Sequence, residues 1–461
     1  LKADKKKIKL VIIAVGCLII LIPFLWLLVV RLEGQEPRLE VNLVSPYIGS
    51  TTEISLNGAD TDSGLRSIWV GLLQDGKEAV LYDADFPSAG FLRGGKTHET
   101  SAAIPIAPRK LGFADGEAML RMVARDYSWR DWWSGNKLYI EKKVVIDTRP
   151  PVIEVLSRAH NISQGGAGLV IFRSSETCSS CGVQVGDKFF PGHGGFFDDP
   201  HVYLAFVALG YNQSPDSAMF VKATDQAGNS VRSGLNYYIR RKVFRKDRIN
   251  ISDRFLNQKM PEFSAYIPQD ATNSPVEKFL RINRDLRQEN YRTIVSKCQS
   301  TDKKMHWQGV FLRLPKSASR ARYADHRTYF YKKKEIDRQV HMGIDLASTS
   351  RSPVPVANAG VVVYSENLGI YGNTVIVDHG FGLFSMYSHL SQITVKPGDL
   401  LSKGDILGRT GSTGMAGGDH LHFSMLIKDI FVNPVEWWDK KWIENNVLSK
   451  IEQAKSIIKQ N

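Results

Sequence analysis

Cysteine is scarce in this chain: Cys17, Cys178, Cys181 and Cys298 are the only four in 461 residues, too few for a disulfide framework to replace a hydrophobic core. Cys178 and Cys181 form a C-x-x-C pair, but the surrounding TCSSCG lacks the strand and helix pattern of a thioredoxin-like redox motif, so a local structural bridge is expected. Cys298 falls in a helical stretch with no nucleophile signature around it, which argues against a cysteine peptidase. H-E-x-x-H is missing as well; the one His-Glu pair, His98-Glu99, has no second histidine, and this excludes the zinc enzymes built on that helix. Basic residues outnumber acidic ones, 60 to 47, for a net charge of +13, yet no nucleic-acid motif accompanies them. The clusters at Arg240 to Arg248 and Lys332 to Lys334 therefore read as solvated faces suited to an anionic membrane or polymer, with no nucleic-acid partner.

Long apolar runs are absent except at the start, where Val11 to Val30 carries no formal charge for twenty residues, about the length of a membrane-spanning helix. A cleaved signal would end its shorter core in small residues, whereas Phe24, Leu25, Trp26, Leu27 and Leu28 fill that place, so an uncleaved anchor is expected. Lys2, Lys5, Lys6, Lys7 and Lys9 precede the span, against Arg31 and Arg38 after it, which keeps the N-terminus cytoplasmic and exports the rest.

Beyond the span, the length calls for several domains. From about Leu39 to Lys246 short alternating runs such as RSIWVGL and LYIEKKVVI are separated by Gly, Asn, Asp and Pro turns, the pattern of β-sandwiches. Ala124, Asp126, Gly135, Asn136, Tyr139 and Ile140 recur in order as Ala223, Asp225, Gly228, Asn229, Tyr238 and Ile239, which points to tandem immunoglobulin-like modules. The joint between them is Asp147-Thr-Arg-Pro-Pro151, extended and stiff because its prolines fix the backbone. DTRPPVIEV and ATDQAGN resemble bacterial Ig-like modules of envelope proteins. Trp129, Trp132 and Trp133 read as a core or interface cluster. Ser274-Pro275 then opens a helix reaching Cys298, a spacer that packs against the last domain or occludes it, and WIENNVLSKIEQAKSIIKQN reads as an amphipathic C-terminal helix. The expected organisation is mainly β: a cytoplasmic basic segment 1–9, a transmembrane helix 10–31, sandwiches 38–147 and 148–246, a linker with its helix 247–305, a β-rich domain 306–440 and a helix 441–461.

Chemistry concentrates near the end, in HMGID with His341 and Asp345, YSHL with His389, and DHLHF with His420 and His422. On a strand, His420 and His422 face the same side while Leu421 turns to the other; Phe423, Met425 and Ile427 continue the alternation. Two neutral imidazoles and one carboxylate would leave a fourth position on zinc for water, the ligand count of a catalytic site. Histidines left over would suit proton transfer, since their ordinary pKa lies near working pH.

The order H-x-G-x-D, Y-x-H-L, H-L-H-F, with a glycine-rich middle, makes the region from His306 to Trp438 resemble the M23, or LytM and lysostaphin-like, zinc endopeptidases. The resemblance implies Zn2+ on His341, Asp345 and His422, His389 and His420 as the general base and transition-state pair, and Asn373 lining the substrate groove. It also implies a fold of β-sheets around a groove, and His379 as a structural residue. Ser424 stands where many members carry Glu. The expected function is hydrolysis of peptide crosslinks in bacterial peptidoglycan, D-Ala to meso-diaminopimelate first among them, on the outer side of the cytoplasmic membrane. The Ig-like modules are available to an envelope protein partner. The alternative is a LytM-type regulator that binds and activates cell-wall amidases.

Overall fold

The computed structural model describes residues 2–43, 45–267 and 274–460. Leu1 of the basic segment and 268–273 of the expected linker lie outside them. The architecture is mainly β with one apolar N-terminal helix, as expected. Lys2–Arg31 is helical, and its stretch Lys5–Arg31 is long and apolar enough to cross a membrane, with none of its most apolar window buried by protein.

Two compact units emerge, one of residues 1–151 with 224–230 and the other of 152–223 with 231–461. In the first, Arg38–Asn42, Thr52–Ala59 and Glu99–Ile106 form a three-stranded sheet; Tyr47–Ile48, Lys137–Ile146, Gly116–Asp126, Leu65–Gln74 and Lys77–Asp85 form a five-stranded one. Period-2 patterning sends Ile54, Leu56, Ile68, Val70, Leu120 and Met122 into one shared core. The repeated Asp and Asn have a concrete job there. Asn136 donates its amide to Asp126 Oδ2 (2.8 Å) and its backbone N–H to Oδ1 (2.7 Å), and its side chain also reaches the carbonyls of Glu33 and Gln35. Asn229 does the same with Asp225 (2.8 Å for both bonds) and reaches the Asp147 carbonyl (2.8 Å). Each pair clips an incoming chain segment, which is why the two motifs look alike. The tryptophans depart from expectation: Trp132 is 88% and Trp133 56% exposed. They ride a tight turn that faces outward instead of packing inside.

In the second unit, Ala167–Ser174 pairs with Ile153–Val155 and Val202–Ala208, and Ser180–Val185 with Lys188–Pro191. No disulfide joins Cys178 and Cys181, contrary to expectation. Cys178 Sγ instead lies 3.2 Å from Ser174 Oγ, and the contact with Cys178, together with burial, pushes the Cys181 thiol up. The segment expected to begin the linker holds a strand, Lys246–Ile251, which pairs in parallel with His326–Tyr331. The linker helix is present as Pro275–Arg281 continued through Ile282–Leu286 to Arg287–Lys297. It packs sideways: Asn283 and Arg284 bind Asp337, and Asn290 Oδ1 accepts the Ile370 N–H (2.9 Å). The C-terminal helix runs from Lys440 to Gln460 and buries Ile443, Val447, Ile451 and Ala454 at helical spacing.

The sheet that carries the histidines orders its strands as Ala318–Ala321, Ile344–Ala347, Leu421–Ile427, Leu383–Leu390, Asn373–Asp378, Gly360–Asn367 and Leu400–Leu401. Leu383–Leu390 and Leu421–Ile427 are buried at every position because both their faces are covered. One core runs from residues 152–223 into this region: Phe206 lies 6.1 Å, ring to ring, from both Trp307 and Trp437. Glu436 Oε2 also accepts the Ala167 N–H at 2.9 Å.

Candidate metal centre

Strand register assembles the site. Asp345 is the direct cross-strand partner of His422, and His422 in turn faces Ser388, the neighbour of His389. His420 immediately precedes the strand Leu421–Ile427 and bridges to Gly411, so its ring falls on the same side as that of His422. His341 sits in the short loop directly before the strand Ile344–Ala347. A Cβ on Gly343 would stand 2.6 Å from His422 Nε2, the Phe423 carbonyl and Ser424 Oγ, so no larger residue fits against the histidine strand.

His341 Nε2, Asp345 Oδ1 and His422 Nδ1 converge at 2.9 Å from one another. The outward ring atoms decide what faces inward. His341 Nδ1 donates to the Arg322 carbonyl (2.9 Å), which leaves Nε2 as a lone pair. Ser424 Oγ donates to the Met342 carbonyl (2.9 Å) and so accepts from His422 Nε2 (3.1 Å), which leaves Nδ1 as a lone pair. Two lone pairs and a carboxylate oxygen pointing at one another repel unless a cation or a shared proton lies among them. Tetrahedral zinc with bonds of about 2.0–2.1 Å would hold such atoms about 3.3 Å apart, a few tenths from the spacing present. The donor set fits a zinc ion. Arg327 Nη2 binds the other oxygen, Asp345 Oδ2, at 3.0 Å and keeps Oδ1 turned inward.

The remaining two histidines present Nε2 to the same space. His389 Nδ1 donates to the Thr413 carbonyl and His420 Nδ1 to the Gly418 carbonyl, both at 2.8 Å, and their rings lie 4.8 Å apart. His389 holds a left-handed backbone, φ 63°, an uncommon conformation for a side-chain-bearing residue that persists only where its surroundings enforce it. Burial drives His389 well below the ordinary imidazole range, with His420 and His422 adding to the effect. Burial also lowers His422, to about 4. For His420, burial works against the charge but the Asp345 carboxylate outweighs it, and the pKa rises. Burial alone would raise Asp345; the surrounding imidazoles, His341 first, hold it well below the usual carboxylate range.

All five expected histidine and aspartate positions are thus together. Asn373 lies at the end of the neighbouring strand, opposite Leu390; its N–H binds Thr413 Oγ1 (3.0 Å), on the loop whose carbonyl fixes His389. His379 is apart from the cluster, buried between the Ala359 carbonyl and Ser385 Oγ at 2.7 Å each, a structural place as expected. Sequence reasoning did not single out Arg327 or the main-chain carbonyls of Arg322, Thr413 and Gly418. It also missed the helical segment Asp253–Tyr266, where Lys259 Nζ donates to the Ser412 carbonyl (2.7 Å) and Tyr266 Oη to Asn367 Oδ1 (3.3 Å).

Residues 339–434 match peptidase family M23. The chain carries an M23 peptidase domain. All five residues of the cluster fall within it. Curated relatives include "Peptidoglycan DD-endopeptidase ShyA" of Vibrio cholerae, 38% identical over 96 residues, and "DD-carboxypeptidase/endopeptidase Mpg" of Neisseria meningitidis, 37% over 97; each alignment covers 21% of this chain and 22% of the relative. The chain thus spans about a fifth of the length of these relatives. "Stage II sporulation protein Q" of Bacillus subtilis is 31% identical over 116 residues, 24% of this chain and 39% of that one. Among solved structures, a putative M23 peptidase from Pseudomonas aeruginosa aligns at 20% identity over 60% of this chain and 95% of its own, with a TM-score of 0.39.

Proposed function

We propose that the chain is a zinc-dependent endopeptidase of bacterial peptidoglycan, held in the cytoplasmic membrane by Lys2–Arg31 with its remaining domains outside. The observation that carries the reading is the convergence of three unprotonated donor atoms, His341 Nε2, Asp345 Oδ1 and His422 Nδ1, within an M23 domain. When bound, zinc supplies a Lewis acid that polarises a carbonyl and makes water nucleophilic near neutral pH. His389 and His420 do the proton work: with Nδ1 spent on backbone carbonyls, each offers Nε2 to the reacting group, one to take the water proton and the other to steady charge on the carbonyl oxygen. Asn373 lines the groove and positions the peptide. The relatives named as DD-endopeptidases support the D-Ala to meso-diaminopimelate crosslink as the bond cut. The two sandwiches between the membrane helix and the M23 domain are Ig-like modules that space it from the membrane or dock an envelope partner.

The test is release of crosslinked muropeptides by the purified chain, with zinc and after chelation, beside Asp345→Ala and His420→Ala. Metal-dependent release abolished by both substitutions, with product masses naming the bond, is the expected result. Zinc binding without any cleavage would overturn it in favour of a regulator.

A further inference from the structure

Large aromatic side chains seldom stand in water, yet the first unit presents four large apolar ones together at one place. Phe91 is 65%, Leu92 57%, Trp132 88% and Trp133 56% exposed. Phe91 stacks on Trp129 at 4.7 Å and accepts its indole N–H at the main-chain carbonyl (3.2 Å), so the loop carrying Phe91 and Leu92 is tied to the turn carrying the tryptophans. Asp131, Trp132 and Trp133 all hold left-handed backbones, at φ 47°, 54° and 65°. Three such residues in a row are costly for side chains with a Cβ, and here the cost delivers rings into solvent rather than into a core.

The place is the end of the apolar helix. The Trp129 N–H donates to the Arg31 carbonyl (2.7 Å), Arg130 Nε donates to the Leu32 carbonyl (3.0 Å), and the Arg31 guanidinium lies over the Trp129 ring at 5.7 Å. The patch therefore continues the lipid-facing surface of Lys2–Arg31 where that helix leaves the bilayer. Exposed Arg93 and Lys96 flank it. Amphipathic indoles beside cations, next to a span terminus, are the composition of a membrane–water boundary.

We propose that Phe91, Leu92, Trp132 and Trp133 insert into the headgroup region of the outer leaflet, so that the first sandwich lies on the membrane instead of swinging free on its helix. The proposal rests on the reading of Lys2–Arg31 as a spanning helix, and the experiment separates the two.

The full chain is reconstituted in phosphatidylcholine–phosphatidylglycerol vesicles with and without dibrominated phosphatidylcholine, and tryptophan emission is compared. Trp26 is the only tryptophan inside the helix, so the wild type reports the span and Trp26→Phe reports the patch. The expected result is quenching in both, with the Trp26→Phe signal falling at least about threefold on adding Trp132→Ala and Trp133→Ala; those side chains are exposed, so the fold tolerates their loss. Quenching in the wild type but none in Trp26→Phe overturns the patch and keeps the span. Unchanged quenching after both alanines also overturns the patch, and no quenching in any variant overturns both readings.

Discussion

Asp126 and Asp345 are both aspartates withdrawn from water, and their surroundings are opposite in kind. Asp126 is 0% exposed, lies within 4.8 Å of the Glu33 and Asp60 carboxylates, and takes its hydrogen bonds from the backbone N–H groups of Ser128 (2.9 Å) and Asn136 (2.7 Å) on Oδ1 and the Asn136 amide on Oδ2. Burial still raises its pKa, but every oxygen has a hydrogen pointed at it. Asp345 Oδ1 meets two nitrogens whose own ring hydrogens are spent elsewhere, His341 Nε2 and His422 Nδ1, both at 2.9 Å, while Arg327 holds the other oxygen. A carboxylate whose two oxygens both have donors is finished and serves stability; one whose inward oxygen faces lone pairs is incomplete and calls for a cation. Direction of hydrogen bonding, not burial, separates the clip from the metal centre.

The comparison breaks most visibly at its two aspartates. Asp345→Ala should cut hydrolysis by at least about a thousandfold and weaken zinc at least about a hundredfold, measured by muropeptide release and by competition with a chromogenic chelator. Unfolding of the metal-free protein should lose about 3 kcal/mol, because Arg327, whose Nη2 binds Asp345 Oδ2, is left as a half-sheltered cation without that partner. Unchanged zinc affinity would remove Asp345 from the ligand set. Asp126→Ala should leave zinc and turnover unchanged, with about 2 kcal/mol lost in denaturant unfolding as the backbone N–H groups of Ser128 and Asn136 lose their acceptor. Next, Ser424→Ala removes the acceptor that sets the His422 tautomer, and zinc affinity should fall about tenfold with little change in stability. An unchanged affinity would mean the tautomer is set by the metal alone.

Glu436 sharpens the comparison from between the two cases, since its carboxyl has a single N–H donor, from Ala167. Burial pushes it up to about 8 from an ordinary 4.5. Between those values the folded chain holds a proton that the unfolded chain has released, so this group makes stability fall as pH rises from about 4.5 to about 8. Glu436→Gln should flatten that slope in unfolding curves taken across the window, and an identical slope in the variant would show the carboxyl ionised when folded.

Much of the site was legible because strand alternation ties letters to faces. HLH places two imidazoles on one side, HMGID supplies an imidazole and a carboxylate, and YSHL adds His389 through the family resemblance, so the five residues could be named before any coordinates. What escaped was what the letters do not encode. The groups that fix the ring tautomers are main-chain carbonyls of Arg322, Thr413 and Gly418, and any residue would supply them. Arg327 reaches Asp345 from the separate sheet of His326–Tyr331, a contact that only tertiary packing creates. Ser424 was visible as a departure from the resembled family, but its use as a relay to the Met342 carbonyl needed geometry. Likewise, Trp129, Trp132 and Trp133 read as a core or interface cluster, since a run of left-handed residues has no signature without glycine. The C-x-x-C spacing permits a bridge without requiring one.

The rings of Phe206, Trp307 and Trp437 belong to three distant parts of the chain and close one apolar interior. A fragment trimmed to the boundaries of the family match would keep all five residues of the candidate metal centre, yet it would lose Phe206, Trp307 and Trp437 together and leave their apolar partners facing water. The histidine and aspartate cluster is thus smaller than the piece that can fold around it. For protein engineers, the first cut that leaves this interior whole falls before 152, and residues 152–223 share one core with the M23 domain rather than forming an accessory to be exchanged.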